Sequence, residues 1–283
     1  MAKARIFTDQ EKALILNLYE GGQSRKAISE RIGVTPKVIT KFLIANGLEI
    51  TNKNKKHFYD EHIFDKIDTA EKAYWLGFIL ADGYLNESRN FLRIKLQESD
   101  KDHLYKFIRF IGGDEGMVKY EYHNVTGNKQ YYAEVNGKYF TESLVKLNIR
   151  QGKSSKEQIT TKIPKKFIRD YIRGIWDGDG HIRNENINVI SSIEVLKYIQ
   201  EYLFDTCKIN IGKICNHCNT YRIHICAKRY DVLDHLYYKN CIALDRKYNL
   251  ARTLIYENNC RLRAKLQEAL RAWERNKAGR LNC

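Results

Sequence analysis

The 283 residues are 43% hydrophobic, enough for a sizeable core and for one large domain or two to three smaller ones. No apolar run approaches the ~20 residues that span a bilayer, and the start, MAKARIFTDQEK, lacks the apolar stretch of a secretory signal. The expectation is therefore a soluble, cytoplasmic chain with no membrane partner, or an organellar or phage-encoded one; it is also expected to be a monomer. Lysine and arginine total 49 against 34 acids, a formal charge of +15, with 11 basic and 5 acidic residues in 1–56 and 10 and 4 in 245–283. Such a field suits a polyanion, and nucleic acid is the commonest one.

Residues 9–46 read as three short helices. DQEKALILNLYEGG carries an apolar stripe at Leu14, Ile15 and Leu18 and stops at Gly21-Gly22. SRKAISERIG puts Ala27, Ile28 and Ile32 on one face, with Ser24 as cap. In VTPKVITKFLIANGL, Thr35 caps, Pro36 opens and Gly47 closes. The short connection at Gly33-Val34 is a helix-turn-helix signature over residues 1–50. Val38, Ile39 and Phe42 then pack inward, and Lys37, Thr40 and Lys41 face a DNA major groove. Residues 51–66 form a basic linker whose Lys53, Lys55 and Lys56 lie along phosphates.

From 67 on the pattern changes. A capping box at Asp68–Glu71 starts a helix over 69–82. FLRIKLQ alternates strictly, with Leu92, Ile94 and Leu96 on one face and Arg93, Lys95 and Gln97 on the other, a half-buried strand. A helix ending at glycine, a hairpin over MVKYEYHNVTGNKQYYAEV with Lys119, Glu121 and His123 on one face, and the helix YFTESLVKLNI follow. The same order recurs from Pro164, so 67–250 reads as two repeats, 67–150 and 160–250, and 251–283 as a basic helical extension. Leu262, Leu266, Leu270 and Trp273 stripe that extension, most simply as a face docked on the body. The seven cysteines are no disulfide scaffold. Cys215-x-x-Cys218 has no second such pair and reads as reduced thiols around a hairpin loop rather than a zinc site.

The two helices heading the repeats share a pattern. Residues 75–83 read WLGFILADG and 172–180 read IRGIWDGDG. Gly77 and Ala81, like Gly174 and Gly178, are four apart and lie on one helix face, which lets two backbones approach closely. Asp82 and Asp179 follow at the helix ends, where the macrodipole disfavours an acid. Two such acids brought together call for a cation, and Mg2+ with carboxylate, water and phosphate ligands fits. Gly83 and Gly180 are expected to leave the helices in the left-handed conformation.

These strings, with LVKLNI, IPKKFIRDYIRGIWDGDG and LDRKYNL, resemble the LAGLIDADG homing endonucleases in their two-motif, single-chain form, over about residues 67–250. Leu80 stands where the first motif allows an acid, and Asp177 supplies one in the second without being expected to act in catalysis. The resemblance implies an α+β fold, a pseudo-two-fold duplicated αββαββα arrangement with saddle-shaped antiparallel sheets over double-stranded DNA, beside the small all-α domain. It implies that Asp82 and Asp179, with the backbone of Ala81 and Gly178, hold Mg2+, for which Mn2+ or Ca2+ substitutes in binding. Each strand is then hydrolysed across the minor groove to leave 3′ overhangs. It further implies a water-organising role for Gln97, with Ser191 or Ser192 opposite it in the second half, and central lysines best matched by Lys138 and Lys228.

Open-face residues Arg93, Lys95, Lys119, Glu121, His123, Arg183, Lys213, Arg222 and His224 are the expected DNA readers. Two alternatives stand beside the nuclease. One is a transcription regulator that keeps the body as a DNA-binding shape. The other is an RNA-splicing maturase, against which a separate helix-turn-helix argues.

Overall fold

The computed structural model describes residues 7–21, 23–48, 57–123, 125–152 and 158–281, with side chains of the last helix described as far as Arg271. Lys53, Lys55 and Lys56 fall outside the described residues, as does the side chain of Trp273. The chain divides into two units, Met1–Phe58 and Tyr59–Cys283.

The first unit is a three-helix bundle of α1 (Asp9–Glu20), α2 (Arg25–Ile32) and α3 (Pro36–Ala45). Thr8 and Glu11 form a reciprocal capping box on α1, and the Ser24 side chain accepts from the Ala27 N–H at 3.1 Å. Gly33 ends α2 with φ 73°, a left-handed turn that aims α3 away. Ile15, Ile28, Ile39 and Leu43 are fully buried with Phe7 and Tyr19. Two expected stripes shift by one position. Leu14 is 37% exposed while Ile15 and Tyr19 face in, and Ala27 is exposed while Ser29 takes the buried place beside Ile28.

The second unit is α+β. Its chain order is α4 (Ala70–Asp82), β1 (Gly83–Asn86), β2 (Phe91–Gln97), α5 (Lys101–Phe110), β3 (Val118–Tyr122), β4 (Lys129–Asn136) and α6 (Lys138–Lys146). The order then repeats as α7 (Ile168–Asp179), β5 (Gly180–Ile182), β6 (Ile187–Ser191), α8 (Ile193–Cys207), β7 (Ile214–His217), β8 (Thr220–Ile225) and α9 (Arg229–Leu236). Each half makes one antiparallel four-stranded sheet, in the orders β1-β2-β4-β3 and β5-β6-β8-β7, the same permutation twice. The first strand of each sheet leaves its helix with no intervening loop, so sheet and helix share one anchor point.

α4 is capped by Thr69, whose hydroxyl accepts from Lys72 N–H at 3.1 Å, rather than by Asp68. Every residue from Ala73 to Leu80 is buried, as an all-round apolar helix requires. α4 lies against α7, and the pair forms the centre of one hydrophobic core shared by both halves.

The last helix, α10 (Asp245–Leu281), packs on the body through Ala251, Leu254 and Ile255. Beyond these it is open. Leu262, Leu266 and Leu270 are 56%, 62% and 52% exposed, so the stripe is not docked on the body as expected. No described helix is long and apolar enough to cross a membrane.

Candidate active site

The twin glycines set the distance between α4 and α7. A Cβ on Gly77 would overlap the Tyr171 carbonyl oxygen and lie 3.1 Å from Ile175 N. A Cβ on Gly174 would overlap the Tyr74 carbonyl oxygen and lie 2.7 Å from Phe78 N. The two clashes are the same clash, related by the pseudo-two-fold. One turn on, a Cβ on Gly178 would collide with the Ala81 methyl and lie 3.3 Å from the Asp82 carboxyl carbon. Asp82 is thereby seated on the residue that precedes Asp179. Both acids are half-buried. Gly83 and Gly180 do not turn left-handed; φ, ψ are −77°, 135° and −87°, 157°. Glycine is needed there for space, because a Cβ would meet Ile79 O at 2.6 Å in one case and the Trp176 ring in the other.

The cation that the paired helix ends call for is Lys247, 3% exposed. Its Nζ donates to the carbonyl oxygens of Trp176 at 2.9 Å, Asp177 at 2.6 Å and Gly180 at 2.5 Å, the C-terminal end of α7. Burial pushes this lysine down from 10.5 to about 8, against the pull of Asp177, Asp82 and Asp179. Asp177 makes the reciprocal contact. Its carboxylate accepts from Leu244 N–H at 2.7 Å, at the start of α10, from Tyr237 OH at 2.7 Å and from Tyr74 OH at 2.8 Å. Each helix end thus receives the opposite charge from the other helix. Tyr74 has one hydroxyl proton and gives it to Asp177, so His103 donates to Tyr74 through Nε2 at 2.8 Å. Burial holds His103 down at about 3, so it is neutral.

Gln97 and Ser192 occupy matching places. Gly83 pairs with Ile94, three residues before Gln97, and Gly180 pairs with Val189, three before Ser192. Register therefore selects Ser192 over Ser191 as the counterpart, and Ser192 spends its hydroxyl capping Val195 N–H at 3.3 Å. Lys138 and Lys228 are not central. β4 ends at Asn136, which pairs with Phe91 opposite Asn86, the end of β1 away from Asp82. Lys138 begins α6 beyond that end, 76% exposed, 3.7 Å from Glu142. Lys228 follows β8 in the same way, 57% exposed, 3.2 Å from Asp231.

Arg93, Lys95, Lys119 and Glu121 share the open face of the first sheet, with Tyr132 and Glu134 between them. There Arg93 is paired with Glu134 at 2.5 Å and Lys95 with Glu121. His123 continues that face and its Nδ1 receives Val125 N–H at 3.3 Å. On the second sheet Arg183, Arg222 and His224 line a groove of about 560 Å³ that opens at Asp179. His181, Asn186 and Asn188 also line it and were missed in the sequence, although His181 follows the motif directly. Arg183 Nε donates to His181 Nε2 at 2.7 Å, and burial with Arg183, Lys247 and Arg246 nearby lowers the His181 pKa. Lys213 is exposed just before β7. In the first unit Lys37 and Lys41 are exposed, whereas the Thr40 hydroxyl donates to Pro36 O at 2.8 Å and accepts from Arg25 at 3.2 Å.

Among the described residues no group of three or more His, Cys, Asp and Glu could hold a metal, and Cys215 and Cys218 are free thiols. The donor set at the helix ends is two carboxylates and backbone carbonyls, hard oxygens only. That set fits Mg2+, which keeps several waters and takes one or two carboxylates plus a phosphate.

No protein-family model matches the chain. A curated relative, glutamine–fructose-6-phosphate aminotransferase [isomerizing] of Methanocaldococcus jannaschii, is 26% identical over 167 residues, 56% of this chain and 14% of that protein. The chain therefore spans a small part of that relative. Among solved structures, the homing endonuclease I-WcaI bound to its DNA recognition sequence aligns with TM-score 0.49 and 16% identity, over 72% of this chain and 96% of that one. The N-terminal LAGLIDADG domain of DUF199/WhiA gives 0.43 and 15%, over 64% and 90%. I-DmoI in complex with DNA and Ca gives 0.42 and 14%, over 64% and 91%. With TM-scores below 0.5 these stand as likenesses; the duplicated order, the helix pair and its acids rest on this chain alone.

Proposed function

We propose that the chain is a monomeric, site-specific endonuclease of the LAGLIDADG type, cutting double-stranded DNA with Mg2+ to leave 3′ overhangs. One observation carries the reading: the pseudo-symmetric glycine contacts bring Asp82 onto Gly178, so two acids from two repeats converge at one half-buried point beside Lys247. Asp82 and Asp179 would hold the divalent metal, which would supply charge stabilisation for the cleaved phosphodiester and a more acidic water. Lys247 ties down the C-terminal carbonyls of α7 and keeps a buried positive charge close enough to interact with Asp82 and Asp179. Gln97 holds water from the first sheet. The groove lined by Arg222, His224 and Asn188 takes one flank of the site and the face of Arg93, Lys95 and Lys119 the other. Lys37 and Lys41 of α3 lengthen the site in a major groove.

The test is incubation with a randomised duplex library and Mg2+, for wild type, Asp82→Asn and Asp179→Asn. Discrete cuts lost in both variants, with duplex binding retained, are expected. Sequence-specific binding with no cleavage under Mg2+ or Mn2+ would sink the enzyme and leave a DNA-binding regulator.

A further inference from the structure

We propose that Arg246 and Asp100 are positioning residues that lock the side-chain amide of Gln97, so that its carbonyl oxygen is the end offered to water beside the carboxylate pair. The functional half of this rests on the endonuclease reading; the lock itself does not.

The lock is a chain of three groups. Gln97 Nε2 donates to Asp100 Oδ2 at 3.0 Å. Asp100 is 6% exposed, and both its oxygens accept from Arg246 Nε, at 2.9 and 3.1 Å. An ionised carboxylate only accepts, so it dictates which end of the glutamine amide faces it. With the amino group taken, the oxygen remains for the open face on which Gln97 lies with Arg93 and Lys95. An acceptor is the end required to hold a water that must lose a proton.

The chain also reaches the other half. Arg246 and Lys247 are neighbours in the first turn of α10, yet Arg246 turns to Asp100 of the first half and Lys247 to α7 of the second. Lys106 of α5 adds a 2.6 Å ion pair to Asp245 in the same turn. One turn of α10 therefore fixes Gln97 relative to the Asp179 end. In the second half Ser192 stands at the place of Gln97, and Val195, three residues on, at that of Asp100, where no carboxylate is available. The device is specific to one half, and nothing in the shared motif encodes it.

Two measurements test it. In metal-free, DNA-free protein with 15N-labelled glutamine, the Gln97 amide is assigned by its absence in Gln97→Met. Its two protons should be well separated and slow to exchange in the wild type. They should collapse towards free-glutamine positions in Arg246→Ala and return in part in Arg246→Lys. An amide already free in the wild type would overturn the lock, whatever the activity.

Single-turnover cleavage of the selected duplex then tests its use. Arg246→Ala should lower the maximal rate roughly 10–100-fold, the range for groups that orient a reacting residue, with DNA Kd changed less than about threefold. In a Gln97→Ala background the same substitution should add nothing; a full second loss there would place Arg246 elsewhere in the chemistry and sink the proposal. A wild type that holds the amide but cuts no duplex supports the lock and sinks the endonuclease reading instead.

Discussion

Gly77 of α4 lies against the Tyr171 carbonyl of α7, and Gly174, 97 residues further along the chain, lies against the Tyr74 carbonyl of α4 in the same way. This reciprocal contact makes two repeats into one site. It sets a backbone-to-backbone distance no side chain could span, and one turn later it sets Asp82 on Gly178.

Gly77→Ala and Gly174→Ala should therefore each destabilise the fold by roughly 3 kcal/mol, the upper end of overpacking, because the new methyl meets backbone rather than a side chain that can swing away. Gly113→Ala is the control: its Cβ would lie 2.9 Å from the Met117 sulfur, 3.1 Å from Ile108 Cγ2 and 3.2 Å from Ile108 O, none of them the backbone overlap met at Gly77 and Gly174, and should cost less. Urea unfolding followed by circular dichroism checks the difference. Equal costs would mean that the helix pair is not the tight point.

Lys247 gives a pH signature. Its native pKa, about 8, lies below the unfolded 10.5, so between these values the unfolded chain binds more protons and stability rises with pH from this group. Between pH 8 and 9.5 the gain is roughly 1.5 kcal/mol. Lys247→Met should lack that rise while also losing stability at pH 7.5, where three carbonyls lose its hydrogen bonds, of which Trp176 O keeps the one from Gly180 N–H. Comparing the two proteins at each pH cancels the buried tyrosines, which titrate in both. A parallel pH dependence would remove Lys247 as the group responsible.

How much of this was legible in sequence depends on the range of each interaction. The alternation of FLRIKLQ is local, and β2 buries Leu92, Ile94 and Leu96 as it dictates. The repeated Gly-x-x-x-x-Asp-Gly string is local in each half, and its recurrence marked the two helices that meet. Lys247 was visible only as a lysine in the first turn of a helix, an unfavourable place for a cation, because its carbonyl partners lie about 70 residues back. Lys138 and Lys228 were misplaced because nearness to a hairpin does not say which end of the sheet follows; strand register does. The Leu262 stripe gave a face, and periodicity cannot say whether anything covers it.

The two sheets should respond oppositely to charge removal. On the first, Lys95 is paired with Glu121, so Glu121→Gln frees a cation and should tighten non-specific duplex binding and steepen its salt dependence by up to about one unit. On the second, Arg222 lies in the groove across from Cys215 and beside Ile190, and Asp179 is the one acid among the described residues that line it. Arg222→Ala should weaken specific binding by about 1–3 kcal/mol if it reads a base, with preference relaxed at one position. Anisotropy titrations over a salt series separate the two. An unchanged slope in Glu121→Gln would mean that Lys95 does not face phosphate.

The far part of α10 should be dispensable for folding. The helix buries Lys247, Ala251, Leu254 and Ile255, and every described residue from Asn259 to Arg271 is exposed. Ending the chain after Tyr256 removes seven basic and three acidic residues and no buried apolar side chain among those described. Stability follows buried area, so the thermal midpoint should stay within about 2 °C of the full chain. Duplex affinity follows charge, and the salt dependence should flatten if the helix lies along phosphates. A midpoint lower by more than about 5 °C would show that Leu262, Leu266 and Leu270 are covered in solution, as their stripe suggested.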